Sequence, residues 1–192
     1  MLVVRHGTTE WSTAGRHTGR TDVDLTPEGE AEATTLGPLL RQRLGDAVAQ
    51  VHSSPLQRAL RTAMLALPGT PVAIDARLVE LDYGDYEGMT TAEIQAKVPE
   101  WDLFTHECPA GETVEQVAAR CDSFIADLGP GAHVVFAHGH LSRILAVRLL
   151  GWTPSTAAFL YNDTASIGAV RDRRGTRVLD AWNCRAVVSR RA

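Results

Sequence analysis

The sequence predicts an α/β fold organised on an open, largely parallel sheet, and three observations carry the prediction. Leu2-Val3-Val4-Arg5-His6-Gly7 and, far downstream, His133 to Gly139 are short apolar runs that end in a basic residue or a histidine followed by glycine. Runs of this length without polar alternation read as strands buried on both faces. Between them, apolar residues recur every three to four positions behind helix-start signals, so helices are expected to cover the sheet. Open α/β sheets hold ligands at the carboxyl edge of their strands. The two His-Gly units therefore meet there, with Arg5 beside the first, and predict an anion pocket holding one imidazole able to attack. A lone histidine at a strand end is more often capped or solvated than catalytic; the second strand-terminal His-Gly favours a phosphate site with a nucleophilic histidine.

The elements follow in order. Thr8 to Asp24 shows no sustained period and is expected to loop over the carboxyl edge, with a helical turn near Glu10 to Thr13. Within it, Thr18-Gly19 offers a hydroxyl and a close backbone N–H to a phosphate, or forms an ordinary turn. Thr26 as N-cap, Pro27 at the first helical position and Glu28 in the first turn open a helix that Ala33, Leu36, Leu40 and Leu44 continue and Gly45 ends. Ala47 to His52 reads as the second strand. Ser54 as N-cap with Pro55 then predicts a helix whose first turn contains Arg58. A cation there opposes the helix dipole, which suggests an anion gripped jointly by the guanidinium and the helix N-terminus. Arg61, one turn on, is the competing candidate, better read as a surface residue.

Val72 to Ile74 is the third strand. In the acidic stretch that follows, Glu80 sits between Val79 and Leu81, where apolar surroundings would raise its pKa and keep it protonated as a general acid. Thr90 or Thr91 caps a short helix to Lys97. Pro99 to Gly111, with Trp101, Phe104, His106 and Cys108, reads as a lid loop. Thr113 to Leu128 is amphipathic and Gly129-Pro130-Gly131 breaks it. His133 to Ala137 is the most hydrophobic strand and is placed at the sheet centre, followed by a helix over Leu141 to Leu150. Phe159 to Tyr161, Ser166 to Val170 and Val178 to Trp182 are strand-like, with a hairpin turn at Arg173-Arg174-Gly175-Thr176.

Composition narrows the function classes. A chain of 192 residues with 44% hydrophobic content buries a full core and is expected to form a single domain over 1–192. A formal charge of −4 with scattered arginines argues against a nucleic-acid partner. The three cysteines, Cys108, Cys121 and Cys184, fit neither a disulfide framework nor a metal pair, and predict a reducing cytoplasmic setting with no metal. No apolar run approaches the ~20 residues of a membrane span, and no signal peptide is visible. Only four residues precede Arg5, which leaves room for a natural start slightly upstream.

The motifs Leu2 to Trp11, Thr18-Gly19, Leu25 to Gly29, Ser53 to Ala59, Glu80, Tyr83 to Gly88 and His138-Gly139-His140 together resemble the histidine phosphatase superfamily. The resemblance covers nearly the whole chain and implies the phosphoglycerate-mutase-like fold, a three-layer α/β/α sandwich with a mostly parallel sheet. It implies His6 as the nucleophile that becomes phosphohistidine, Arg5, Arg58 and His138 as phosphoryl ligands, and Glu80 as proton donor. Thr18, Gly19, Tyr83, Gly139 and His140 would complete substrate binding. No cofactor or metal is implied, the partner is a small phosphate ester, and a homodimer is left open.

Within the family, the stretch Pro109 to Glu112 and His140-Leu141-Ser142-Arg143 look closest to the acid phosphatase and sedoheptulose-bisphosphatase-like branch. Phosphoglycerate mutase is the alternative. Mutases usually carry Asn at the position of His140 and an arginine pair in the segment corresponding to Lys97 to Glu112, which here has no arginine. Glu100, Asp102, Glu107 and Glu112 in that segment are instead expected to repel a second anionic group.

Overall fold

The computed structural model describes residues 1–186. Its six-stranded sheet comprises β1 (Leu2–Arg5), β2 (Ala49–Ser53), β3 (Val72–Ile74), β4 (Ala132–Ala137), β5 (Ile167–Arg173) and β6 (Thr176–Cys184), in the order β3-β2-β4-β1-β5-β6. The first four strands run parallel, and β5 and β6 are antiparallel additions. The apolar runs β1 and β4 lie side by side at the centre, as their unbroken hydrophobicity requires. Leu2 and Val4 with Val134 and Phe136 face α2 (Pro27–Leu44) and α3 (Gln57–Ala66), while Val3 with Val135 and Ala137 faces α5 (Val114–Ala126) and α6 (Gly139–Leu149). The period-two alternation thus feeds two cores and gives the three-layer α/β/α architecture.

Several elements form for the reasons visible in the sequence. Thr26 Oγ1 accepts the Gly29 N–H, Pro27 opens α2 and Gly45 caps its end. The short helices α1 (Glu10–Thr13) and α4 (Thr91–Gln95) and the longer α5 each start with a reciprocal capping box, on Thr9, Thr90 and Thr113. Arg174 and Gly175 both take positive φ, 58° and 82°, which suits the tight turn between β5 and β6.

Three boundaries differ from the sequence reading. Helix α3 begins at Gln57, not Pro55: the Ser54 N–H extends the sheet to the Phe136 carbonyl, and the Ser54 hydroxyl is shared between the Leu56 N–H and His138. Asp22 supplies the cap instead, accepting the Gln57 N–H at 2.8 Å. Helix α6 begins two residues early, with His138 as N-cap, because the Glu80 carboxylate takes its leading N–H groups. Phe159 to Tyr161 is not a strand: a 3₁₀ helix led by Pro154 runs to Phe159, and the chain then crosses the carboxyl edge of the sheet.

The first strand and α2 approach each other through glycines. A Cβ at Gly7 would lie 2.3 Å from the Gly29 carbonyl oxygen, and one at Gly29 would lie 2.1 Å from that of Thr8. The contact lets Thr26 bond the Thr8 carbonyl and Glu32 bond the Thr8 N–H and hydroxyl, which fixes the chain just beyond His6. Since backbone cannot yield as a flexible side chain can, Gly29→Ala is expected to cost about 1–3 kcal/mol or more. The urea midpoint of the variant checks this, and a midpoint equal to that of the parent would show that the approach is not tight.

Candidate active site

The carboxyl edge of the sheet carries a cavity of about 200 Å³ lined by Arg5, His6, Arg16, His17, Thr18, Glu80, Tyr83, Gly139, His140, Arg143 and Asn162, among others. Strand β1 delivers the first two. Its end is clamped on both sides: the His6 N–H bonds the Ala137 carbonyl, and the Ala165 N–H bonds the His6 carbonyl. The His6 ring is nearly buried, and its Nδ1 lies 2.7 Å from the Gly7 carbonyl oxygen. That contact requires the proton on Nδ1, which leaves the lone pair on Nε2. Burial, then the charges of Arg58 and Arg5, push the His6 pKa well below its ordinary value, so the ring is a neutral base.

Arg5 donates to the Asn162 carbonyl at 2.7 Å, while its buried Nε–H has no protein partner. Beside it the Gly139 N–H, at the start of α6, makes no hydrogen bond among the described residues. A guanidinium N–H and a helix N-terminus directed at the same space form an anion site.

Arg58 and His138 are placed differently from the sequence reading. Both are wholly buried, one layer behind His6, and neither lines the cavity. Arg58 donates through Nε to His138 Nδ1 at 3.1 Å and through its terminal nitrogens to the carbonyls of Thr18, Gly19 and Thr21. His138 therefore carries its proton on Nε2 and donates it to Ser54 Oγ at 2.8 Å. The His138 ring stands 5.4 Å from that of His6, edge to face, and its pKa is also held well below the usual value, first by burial and then by Arg58. Arg61 is an exposed partner of Glu30.

Glu80 lines the cavity, but its surroundings are not apolar. Oε1 accepts the N–H groups of Leu81 and Leu141, and Oε2 that of His140, all within 3.0 Å. A frame holds it there. Arg120 donates to the carbonyls of Arg77 and Val79 and forks onto Glu112, whose carboxylate in turn accepts the Asp82 N–H.

Thr18 lines the cavity with its hydroxyl turned back to the Arg16 carbonyl. Gly19 does not line it. Its N–H is spent on the Glu87 carboxylate, so it offers no donor to a ligand. Tyr83 and His140 act as a pair, with the phenol 2.6 Å from His140 Nδ1. Burial raises the Tyr83 pKa and lowers that of His140, so a neutral phenol and a neutral imidazole share one hydrogen bond.

The lid loop is anchored by buried Trp101, Leu103 and Cys108, with Trp101 5.4 Å from the His17 ring and Phe104 5.8 Å from the His140 ring. Its carboxylates Glu100, Asp102, Glu107 and Glu112 do not line the cavity, where three guanidiniums face one carboxylate. The sequence reading missed Asn162 and Tyr161, because a loop before a strand gives no signal of where it crosses the sheet edge. It also missed the role of Glu87 as an anchor for Gly19.

Among the described residues no three His, Cys, Asp or Glu side chains are grouped to hold a metal ion. The histidines do have a consequence for stability. His6, His17, His52, His138 and His140 all titrate below 6.5 when folded, each first because of burial, and near 6.5 when unfolded. Below pH 6.5 the unfolded chain therefore binds more protons, and stability falls as pH falls. The urea midpoint is expected to be lower at pH 5 than at pH 7. A midpoint constant over that interval would contradict the buried neutral imidazoles.

This geometry has counterparts. The model of the histidine phosphatase superfamily, branch 1, matches residues 1–185. An acid phosphatase of Mycobacterium tuberculosis is 42% identical over 185 residues, 93% of this chain and 89% of that protein. The sedoheptulose 1,7-bisphosphatase of Saccharomyces cerevisiae is 35% identical over 181 residues, 78% of this chain and 67% of that protein. Among solved structures, a mycobacterial glucosyl-3-phosphoglycerate phosphatase in complex with VO3 superposes with a TM-score of 0.85 at 30% identity, covering 95% of this chain and 98% of that one. With a phosphoglycerate-mutase-like sandwich, a neutral histidine at the end of its first strand and a matching model along nearly its whole length, the chain belongs to the histidine phosphatase superfamily.

Proposed function

We propose that the protein hydrolyses small phosphomonoesters of the sugar or glycerate type through a phosphohistidine formed on His6. The observation that carries this reading is the His6 ring: fixed through Nδ1, neutral, and set in a cavity beside an unpartnered Arg5 Nε–H and the free Gly139 N–H. The Nε2 lone pair attacks phosphorus as the ester P–O bond breaks. Arg5 and the α6 N-terminus stabilise the spreading charge on the phosphoryl oxygens. Arg58 adds positive charge from behind, and the neutral His138 ring, fixed between Arg58 and Ser54, orients that corner.

A monoanionic ester brings the proton, which Glu80, a carboxylate held by three main-chain N–H bonds, relays to the departing alkoxide. A water molecule, giving its proton back to that carboxylate, attacks the phosphohistidine and releases phosphate. Thr18, Tyr83 and His140 shape the space for the alcohol, while Gly19 supports the loop that carries Thr18. Phosphoglycerate interconversion is the weaker reading, since the loop at 97–112 carries no arginine to retain an acceptor. The setting is cytoplasmic, where buried thiols such as Cys108 and Cys121 remain reduced.

Trapping with a ³²P-labelled ester and acid quench should label the parent on histidine. In His6→Ala the label should vanish and turnover should fall on the order of 10³-fold or more, with circular dichroism unchanged. Substantial residual activity in that variant would remove His6 as nucleophile. Glu80→Gln should slow alkyl phosphates by roughly 10²–10⁴-fold and aryl phosphates far less, since a phenolate leaves with little proton help. Equal losses on both ester classes would make Glu80 a structural cap of α6 only.

A further inference from the structure

We infer that the protein carries a second binding site, at the opposite edge of the sheet from His6, which takes a small amphiphilic monoanion: a carboxylate on a short aliphatic chain. The inference does not depend on the phosphatase reading. The site is a cavity of about 280 Å³, larger than the one of about 200 Å³ beside His6. Strand β4 runs from His133 in the wall of this cavity to His138 at the candidate active site, roughly 16 Å away along the strand. Helix α6 returns from there and ends in the same wall at Leu149.

The walls are apolar and the rim is cationic. Leu149 and Val170 are buried members of the core, while Met1, Ile125 and Leu128 pack against that core and stay partly exposed. Arg177 is the free charge at the rim. Its Nη1 donates to the Leu149 carbonyl at 3.3 Å, which holds the guanidinium at the end of α6, and its Nε and Nη2 have no partner among the described residues. It makes no salt bridge among those residues. Asp172 stands directly opposite Arg177 in the register of β5 and β6, but its carboxylate is turned to the Gly175 N–H at 2.9 Å. Arg171, the other guanidinium of the rim, shares Asp180 with Arg173. Both rim charges reach the Met1 amine, whose pKa is lowered first by burial and then by Arg171 and Arg177. His133 has no ring nitrogen to spare, since they lie 2.9 Å from the Gly129 carbonyl and 3.2 Å from His52.

These features select the ligand. A guanidinium with two unused donor positions suits a carboxylate in two-point contact. Arg171 and Arg177 against Asp172 leave the rim with one net positive charge, which matches a monoanion better than a doubly charged phosphate. An alkyl chain would cover Met1, Ile125 and Leu128 and remove their apolar surface from water. Cavities that hold drug-sized ligands run to about 300–1,000 Å³, so one of this size takes a shorter molecule.

Octanoate is the probe, set against octanol with the same chain and no charge, butyrate with the same head and a shorter chain, and inorganic phosphate. Isothermal titration calorimetry of the purified protein should give octanoate a Kd below about 1 mM and octanol a Kd about tenfold weaker. Butyrate should bind at least about tenfold more weakly, since each methylene contributes roughly fourfold. In ¹⁵N NMR the octanoate-induced shifts should fall on 125–133 and 170–177, away from 5–7 and 139–143. Arg177→Gln should weaken octanoate by about tenfold and leave octanol unchanged, Arg177→Lys should recover part of the loss, and Ile125→Gln should weaken both ligands. Octanol bound as tightly as octanoate, an octanoate affinity unmoved by Arg177→Gln, no saturable octanoate binding, or shifts confined to the His6 cavity would overturn the site. Phosphate bound at 170–177 as tightly as octanoate would overturn it too, as an unselective basic patch. Should Arg177→Gln fail to fold, the octanoate-to-octanol ratio of the parent decides alone. None of these readouts uses turnover, so their failure leaves the phosphatase reading untouched.

Discussion

The buried guanidinium of Arg58 is the contact on which the site depends. It has no exposed surface, and it reaches no carboxylate; its donors go to His138 and to three carbonyls of the 18–21 segment. Those carbonyls are fixed in turn, since the Gly19 N–H is held by Glu87. One side chain thus ties α3, the loop over the sheet edge and the end of β4 into a single rigid corner. The same charge helps keep His6 and His138 neutral. An unpaired buried charge is expensive in any fold, and its retention is accounted for by the tautomers it sets and the field it provides.

Glu80 organises the other wall. Its carboxylate replaces the missing side-chain cap of α6, so the acid and the helix N-terminus are positioned by one set of bonds. The Arg120–Glu112 frame brackets residues 77–82 on both sides and keeps the carboxylate from drifting toward solvent. Because the α6 N–H groups of His140 and Leu141 are consumed by Glu80, the Gly139 N–H is the one left for an anion. The pocket therefore separates its two charge functions along a single helix turn.

The cavity as a whole is cationic although the chain is acidic. Three guanidiniums face one carboxylate inside a molecule of net charge −4. Neutral imidazoles fill the space between, because burial opposes the protonation of His17 and His140, and at His140 the charges of Arg143 and Arg5 oppose it further. Such a site attracts anions, and burial with the neighbouring guanidiniums keeps the His6 ring neutral below its ordinary pKa.

The sequence by itself determined most of the strand–helix frame, the central place of β4, and the meeting of Arg5, His6 and the His138-Gly139 corner at one edge, while Glu80 and His140 were brought there by the resemblance of their motifs. The frame and that meeting follow from short-range rules: apolar runs must be buried on both faces, threonines cap helices, and strand ends in an open sheet converge. What only the tertiary structure decided is where each polar hydrogen goes. Ser54 looks like a helix cap and, besides accepting the Leu56 N–H, meets His138; Gly19 looks like a phosphate donor and instead binds Glu87; Glu80 sits between apolar neighbours in sequence and among N–H groups in space. The acidic residues of the 97–112 loop turn away from the cavity while Arg143 turns into it. Hydrogen-bond partners more than thirty residues apart leave no local pattern, since they are chosen by competition among all buried donors and acceptors once the layers have closed.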